Sequence, residues 1–490
     1  MATQPPGTLA QRIAGFAVTA RRLGLPEAVT QSVRQRVLDT IGICVAASSL
    51  DTSRAARRWA RDGGGTPRAT AIGVPERLPA RSAAFVNGVL AHSLDYDDTH
   101  LPSVLHPSAS VIPAALAAGQ ATGASGAQVT AAIAVGLEVC VRLGMAGFDE
   151  EAGNSTFFEF GQHATSICGT MGAAVSAALL HGMSETDIVN TIGVAASMAS
   201  GILESNRTGG TVKRMHCGWA ASAGVAAAEL VRYGFSGPPT VLEGRFGFLQ
   251  AWLHGSRINE AAVIDGLGDT WLVPGIFFKP YPANHFTHTG IDAAIRLRER
   301  GVRPEDITRI ELRVAAAPHR TIGAPIDVKR NPETAYMAQF SGPYTVVAGL
   351  LGGSGLGVGL ADFTDELARD PYRRRLMTLV DVIPDDRCTA IFPYQFPAIV
   401  TVETRDGRTL TEEVLTNRGG PDRPLTFDEL GVKFTDNAAR QLPEADIIAL
   451  RDSCGRVDML ADIGELVADL GGIDHELWEA SPVDQQMSPH

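Results

Sequence analysis

The densest group of ionisable residues lies between residues 91 and 110, in the sequence AHSLDYDDTHLPSVLHPSAS. This segment places three histidines and three aspartates within fifteen positions of a chain that has only 12 histidines. Asp95 and Thr99 are four positions apart and would share one face of a helical turn, while Pro102 and Pro107 would let His106 return toward that face. A metal site is one interpretation, and an aspartate helix cap beside exposed histidines is the other.

Two further segments combine a histidine or a cation with small residues. In FGQHATSICGTMG, His163 precedes a small-residue run that predicts the start of a helix, where it could exchange protons or simply begin the helix. In GGTVKRMHCGWA, Lys213 and Arg214 follow a glycine pair and His216 stands three residues after Lys213. Two cations beside a glycine turn suit a carboxylate, although a solvated basic turn would have the same sequence.

A fourth segment, KPYPANHFTHTG, begins at Lys279, where the composition changes. Its lysine, its tyrosine and its histidines favour a binding cleft at a domain boundary, and the alternative is a rigid linker. Tyr344, in FSGPYTVV, could supply a phenol to the same cleft, although an isolated tyrosine more often packs in a core with its hydroxyl hydrogen-bonded.

The elements that must position these groups are mainly helices. From Thr8 to about Leu267, apolar residues recur at helical spacing, and glycines followed by serine or threonine predict helix ends and new starts. Alternation in Ile307–Val314 and in Ile399–Leu415, with an Asp-Gly turn, predicts strands on either side of a helical segment, Phe340–Leu351. Helical periodicity returns from Asp428 to Leu470, which indicates a return to the first domain.

Length and composition agree with two packed domains. A chain of 490 residues exceeds the ~250–300 residues that one hydrophobic core supports. With 45% hydrophobic and 20% charged residues, extensive disorder is excluded, and the 6% aromatic share together with abundant alanine and glycine predicts closely packed helices. The last dozen residues are polar, and we expect them to fray.

Charge and targeting patterns exclude several partners. The net charge of −12 and the lack of a long basic cluster argue against a nucleic-acid partner. The N-terminal segment has no secretory pattern, and no uninterrupted apolar run approaches the ~18 residues of a membrane span. Six scattered cysteines without a CxxC pair suggest neither a disulfide framework nor a zinc or iron–sulfur site. We therefore expect a cytoplasmic protein that binds neither membranes nor nucleic acids.

Six ordered segments together resemble the MmgE/PrpD family, whose members act on polycarboxylates such as 2-methylcitrate and cis-aconitate. The resemblance covers most of the chain, and its most specific parts are HSLDYDDTH with HPSASVIPAALA, GQHATSICGTMGAA, KRMHCGWAASAG, GFSGPPTVLEGRFGF, KPYPANHFTH and AQFSGPYTV.

The resemblance implies a mainly α fold. A large helical domain is formed by both chain ends, residues 1–270 and 421–490, and an α+β lid, residues 271–420, is inserted between them. It also implies a homodimer with a cleft between the domains that needs no metal and no cofactor. By position in the motifs, the implied catalytic residues are Asp95, His106, His163, Lys213 and Tyr344. We expect the substrate-binding residues to be Thr99, Arg214, His216, Lys279, Asn284 and His285.

The chemistry implied by the resemblance is proton transfer at a carbon next to a carboxylate of a small di- or tricarboxylate. Lys213 would neutralise charge on the carboxylate, His106 or His163 would act as base, and Asp95 would orient an imidazole. Tyr344 or the other histidine would protonate a departing hydroxyl group. Dehydration of a 2-methylcitrate-like acid is the first expectation. Decarboxylation of a cis-aconitate-like acid and epimerisation of a dicarboxylate are the alternatives.

Overall fold

The computed structural model describes residues 7–205 and 209–473. Helices form most of the described chain, as the apolar periodicity predicts. In the parts before residue 279 and after residue 424 the helices are Leu9–Leu23, Glu27–Ala47, Asp51–Asp62, Ala80–Ala91, Ser108–Thr122, Gly126–Met145, Thr156–Glu159, Ala164–Leu180, Glu185–Ala196, Val212–Arg232, Phe248–Leu253, Ala261–Ile264, Phe427–Ala438, Glu444–Gly455 and Gly464–Val467. Between these parts they are His288–Glu299, Ala316–Ile322, Ile326–Arg330, Ala335–Gln339, Gly342–Leu351, Asp365–Arg369, Pro371–Met377 and Asp386–Ile391.

Local capping explains where several of these helices begin and end. Ser125 and Ser184 each accept a hydrogen bond from the backbone three residues later, and that residue's side chain bonds back to the cap. These reciprocal pairs satisfy backbone N–H groups that have no partner inside the helix. Gly123 adopts a left-handed conformation and ends the preceding helix. The predicted pattern of a glycine stop followed by a serine start is confirmed at both places.

Glycines allow two of the helices that carry the candidate site to approach closely. A Cβ atom at Gly88 would lie 2.7 Å from the carbonyl oxygen of Cys217 and 2.8 Å from the Cα of Gly218. The backbones of helices Ala80–Ala91 and Val212–Arg232 therefore touch without intervening side chains. This contact brings the end of the first helix close to the beginning of the second.

The described strands form a short hairpin, β1 (Phe148–Asp149) with β2 (Asn154–Ser155), and a mixed four-stranded sheet. That sheet consists of β3 (Ile307–Val314), β4 (Val380–Pro384), β5 (Ala398–Thr404) and β6 (Thr409–Val414), in the order β4-β3-β5-β6. Strand β3 runs parallel to β4 and antiparallel to β5, and β5 and β6 form a hairpin. The predicted strand Ile307–Val314 and the predicted hairpin are therefore present in the structure.

Two main hydrophobic cores divide the described chain. The larger contains residues between Leu9 and Phe278 and again between Leu425 and Ile473. The smaller contains residues between Tyr281 and Val414. A mainly helical protein with a small mixed sheet is thus confirmed, and both chain ends contribute to the larger core. The boundaries expected at residues 270 and 420, and the role of the α+β part as a lid, stay predictions.

Two further expectations concern the C-terminal residues and membrane-spanning segments. The last dozen residues lie outside the described ranges. Gly126–Met145 is long and apolar enough to cross a membrane, but 83% of its most apolar stretch is buried inside the protein, as in the core helix of a globular domain.

Candidate active site

Ionisable side chains at the ends of three helices lie close together in the interior of the protein. His92 follows helix Ala80–Ala91, and His163 directly precedes helix Ala164–Leu180. Lys213 and His216 lie in the first turns of helix Val212–Arg232. We call the following residues, which are joined by the contacts described below, the histidine–lysine cluster: His92, Asp95, Asp97, Thr99, His106, His163, Lys213, His216 and Lys279.

The segment after His92 is an irregular loop and not the helical turn expected from the spacing of Asp95 and Thr99. Asp95 has a φ of 52°, a left-handed conformation that costs of order 1–3 kcal/mol for a residue other than glycine. Thr99 instead pairs through its backbone with Phe277, with 2.8 Å hydrogen bonds in both directions. The shared-face prediction was wrong because the loop is held by tertiary contacts that residue spacing does not reveal.

Asp95 joins two lysines that are far apart in the sequence. Its carboxylate lies 3.5 Å from Nζ of Lys213 and 3.4 Å from Nζ of Lys279, and Lys279 also donates a 2.8 Å hydrogen bond to the Asp95 carbonyl oxygen. Burial alone would raise the pKa of Asp95, but the two ammonium groups lower it overall. Burial alone would lower the pKa of Lys213, but Asp95 raises it overall. Both groups therefore stay charged.

Four imidazoles pack beside this ion pair. The Nδ1 atoms of His163 and His216 are 2.8 Å apart, and the ring of His92 lies 5.5 Å from the rings of both His106 and His163. Burial lowers the pKa of His106 and that of His216 to about 4, and it takes the pKa of His163 well below its usual range. These three imidazoles are therefore neutral at pH 7, so they can accept a proton.

Hydrogen bonds orient two of the imidazoles. Nδ1 of His106 lies 2.6 Å from the carbonyl oxygen of Asp98 and 3.2 Å from the hydroxyl of Thr99. Because the carbonyl can only accept, Nδ1 carries the proton and Nε2 has the lone pair. Nδ1 of His92 lies 2.6 Å from the carboxylate of Asp97.

Apolar side chains surround His285, which lies next to the cluster. The ring of His285 packs edge-on against Phe277 and Phe396, with ring centres 6.1 and 5.5 Å away, and 4.5 Å from the ring of His288. Neither ring nitrogen of His285 has a hydrogen-bond partner within the described ranges. Burial, then His288 and Lys279, hold the pKa of His285 well below its usual range. A neutral, unpartnered imidazole in apolar surroundings is available to a ligand.

A second layer of buried ion pairs holds the loop in place. Arg36 donates to Asp98 at 2.6 Å, and the hydroxyl of Ser108 donates to the same carboxylate at 2.5 Å. Lys433, from the C-terminal part of the chain, lies 2.6 Å from Asp39 and donates to the carbonyl oxygens of Tyr96 and Lys279. Lys433 therefore connects the C-terminal part of the chain to Asp39 in the N-terminal part, next to the loop that carries Asp95.

The structure brings together most, but not all, of the residues expected from the sequence. Asp95, Thr99, His106, His163, Lys213, His216 and Lys279 belong to the cluster, and His285 lies beside it.

Three expected residues have other partners. Tyr344 is buried in the smaller core and donates a 2.5 Å hydrogen bond to the carbonyl oxygen of Asp362. Arg214 lies with its guanidinium 3.4 Å from the hydroxyl of Thr52. Asn284 caps a short helical turn by accepting from the backbone N–H of Phe286.

Sequence reasoning did not assign His92, Asp97 or Lys433 to the site or its support, and it left the choice between His285 and His288 open. His92 and Asp97 lie in the dense segment that was singled out, so their residue types were a usable signal. Lys433 lies in an ordinary helical pattern and gave no signal. As for a metal site, the described parts of the chain contain no group of three or more His, Cys, Asp or Glu side chains arranged to hold an ion.

Comparison with known proteins gives two consistent results. The MmgE/PrpD N-terminal domain model matches residues 11–261, and the MmgE/PrpD C-terminal domain model matches residues 281–454. The cis-aconitate decarboxylase of Homo sapiens is 30% identical over 464 residues, which cover 91% of each chain. The enzyme of the same name from Aspergillus terreus is 26% identical and covers 81% of this chain and 82% of its own. The chain therefore belongs to the MmgE/PrpD family.

Proposed function

We propose that this protein decarboxylates a cis-aconitate-like tricarboxylate in the histidine–lysine cluster. The observation that carries the proposal is a buried site in which two lysines meet at the Asp95 carboxylate beside four imidazoles that contact one another. Such a site suits a ligand with several negative charges. The relatives named cis-aconitate decarboxylase support the choice of reaction.

The electron flow defines what the side chains must do. When the carboxylate on the CH2 carbon leaves as CO2, its bonding electrons form a new terminal double bond to the central carbon. The electron pair of the former double bond then moves to the other alkene carbon, which keeps its carboxylate. Lys213 neutralises this carboxylate while the charge builds, which lowers the barrier because the ammonium is already in place. A protonated imidazole, His163 or His106, then delivers a proton to that carbon. One C–C bond breaks and one C–H bond forms.

The apolar environment of His285 favours loss of CO2 over loss of a hydroxyl group. Departure of CO2 turns a localised carboxylate charge into a delocalised one, so surroundings that solvate a carboxylate poorly assist it. His285, packed between Phe277 and Phe396 without a hydrogen-bond partner in the described chain, lies where such a group would be poorly solvated. Dehydration, the first expectation from the sequence, becomes the second candidate, since Tyr344 is bonded elsewhere and does not offer its phenol.

A substrate panel followed by proton NMR in heavy water tests the proposal. Purified enzyme is incubated separately with cis-aconitate, 2-methylcitrate and citrate. We expect cis-aconitate to yield a methylene-substituted dicarboxylate with one deuterium on its CH2 carbon, and 2-methylcitrate to persist. Conversion of 2-methylcitrate to an alkene with cis-aconitate untouched would instead support dehydration. Deuterium uptake without any product would support epimerisation.

We also infer a homodimer from membership of the family. Light scattering after size-exclusion chromatography would detect it as twice the 51.7 kDa chain mass.

A further inference from the structure

His92 is a buried histidine that the family motif does not assign to the reaction. Its ring follows helix Ala80–Ala91, and its Nδ1 is 2.6 Å from the carboxylate of Asp97. Its Nε2 is also buried and has no hydrogen-bond partner among the residues that the structure describes. A buried nitrogen without a hydrogen-bond partner is destabilising, so its presence next to a reactive cluster indicates a use.

The contact with Asp97 determines which nitrogen of His92 is available. A carboxylate can only accept, so Nδ1 carries the proton and Nε2 presents its lone pair. Burial alone would raise the pKa of Asp97, but His92 and His106 lower it overall. Asp97 therefore remains an anion and stabilises a positive charge on His92 whenever Nε2 takes up a proton, as the aspartate of a catalytic triad does for its histidine.

The groups facing His92 come from its own loop and from three other elements. Its neighbours are Asp97 on its own loop, His106 before the next helix, His163 at the start of helix Ala164–Leu180, and His216 on helix Val212–Arg232. Of these neighbours, Asp97 alone is negatively charged. The pKa values of the three imidazoles are lowered, first by burial.

We propose that His92, oriented by Asp97, is the positioning residue that stores a proton for His163 and His106. The proposal rests on the proposed function, which requires a proton at carbon in every turnover. His163 gives its proton to the carbanion, the imidazolium of His92 returns a proton to His163, and His92 recovers one from solvent. One solvent proton enters the product for each CO2 released, so the cycle balances.

Kinetics of two variants and one control test this role. His92→Asn keeps a hydrogen-bond donor for Asp97 but cannot take up a proton, and Asp97→Asn removes the charge that stabilises the imidazolium. We expect each to lower kcat at least ~10-fold while KM changes less than twofold. His100→Asn is the matched control, because His100 lies on the same loop, is buried and bonds to Ser103.

The pH profile separates a proton store from a structural role. In Asp97→Asn, loss of the neighbouring charge disfavours the imidazolium, so kcat should rise more steeply between pH 8 and pH 6 than it does in the unmodified enzyme. A merely structural role would lower kcat by the same factor at every pH. Normal kcat in His92→Asn, or an equal loss at every pH in Asp97→Asn, would overturn the proposal.

A measurement without substrate keeps this proposal distinct from the choice of reaction. In full-length protein labelled with 15N-histidine, the signals that His92→Asn removes identify His92. We expect its Nδ1 to be protonated and its Nε2 to gain a proton at higher pH than either His106 or His163. The opposite order would overturn the proposal. The expected order would support it even if the substrate panel rejected cis-aconitate.

Discussion

Binding of a polycarboxylate should draw up to about one proton from solution into the site. Before binding, the pKa of His106 is about 4, lowered chiefly by burial, so this imidazole is neutral at pH 7. The charges of the two lysines in the cluster are matched by those of Asp95 and Asp97, and His106, His163 and His216 add none at pH 7. A bound tricarboxylate adds three negative charges, and these favour the charged form of every neighbouring imidazole.

The size of this effect follows from the spacing of the cluster. Neighbouring groups such as His92 and His106 are 5.5 Å apart. At that separation and an effective dielectric constant of ~20, two unit charges interact by ~3 kcal/mol, which raises the pKa of an imidazole by ~2 per carboxylate. One nearby carboxylate would take the pKa of His106 from about 4 to ~6, and two would take it to ~8.

The sign of the pH dependence follows directly. Because the pKa is higher in the complex than in the free protein, affinity is greatest below the free value. It falls up to tenfold per pH unit between the free and bound values, and it levels off above the bound value. Affinity for a tricarboxylate should therefore decline between pH 5 and pH 8.

Calorimetry in two buffers measures the protons directly. A saturated tricarboxylate that cannot lose CO2 is titrated at pH 7 into the enzyme in phosphate and in Tris, which release very different heats on giving up a proton. A difference in the observed heat gives the number of protons taken up, and we expect between about 0.5 and 1. His106→Asn should reduce this number and His100→Asn should not. Equal heats in both buffers would refute the electrostatic account of the site.

Three other predictions test the proposed roles and supports. Replacing His163 or Lys213 by Ala should reduce kcat at least ~10²-fold in steady-state assays, and near-normal rates in both variants would show that neither residue takes part in the mechanism. Tyr344→Phe should lower the free energy of unfolding by ~1 kcal/mol and change kcat less than threefold. Lys433→Met leaves the buried carboxylate of Asp39 without its partner and should lower the free energy of unfolding in urea by ~3–5 kcal/mol. Arg451→Met breaks an exposed pair and should lower it by less than ~1 kcal/mol. Equal losses in the two variants would show that the buried pair stabilises the protein no more than the exposed one. Activity should survive exhaustive chelation, and a loss that one divalent ion restores would overturn the expectation of a metal-free reaction.

Local signals made the elements predictable. Strand Ile307–Val314 follows from the alternation between Ile310 and Val314, and the helix beginning after Ser184 follows from a cap whose partner lies three residues along. Such features depend on neighbours within a few residues. The capping of the 284 turn by Asn284 is equally local, and its expected part in substrate binding stays a prediction.

The geometry of the site depended on contacts that no local pattern contains. Lys279 meets Asp95 across 184 positions, and Lys433 meets Tyr96 across 337. The choice between Lys213 and Arg214 illustrates the same limit. In the expected basic turn both could face the substrate. In a helix, however, successive side chains point ~100° apart, and here Lys213 reaches Asp95 whereas Arg214 reaches Thr52.

Charge, more than shape, should decide which acids this site accepts. With an imidazole pKa of about 4 in the free site, a monocarboxylate would raise it only to ~6 and leave His106 mostly neutral at pH 7. A second carboxylate would take it to ~8 and supply the proton that the reaction needs. A series of mono-, di- and tricarboxylates of similar size should therefore show proton uptake at pH 7 that rises steeply between one carboxylate and two. Uptake that is the same throughout the series would mean that the imidazoles do not sense the charge of the ligand, and selectivity would then have to come from the contacts of Lys213 and Lys279 alone.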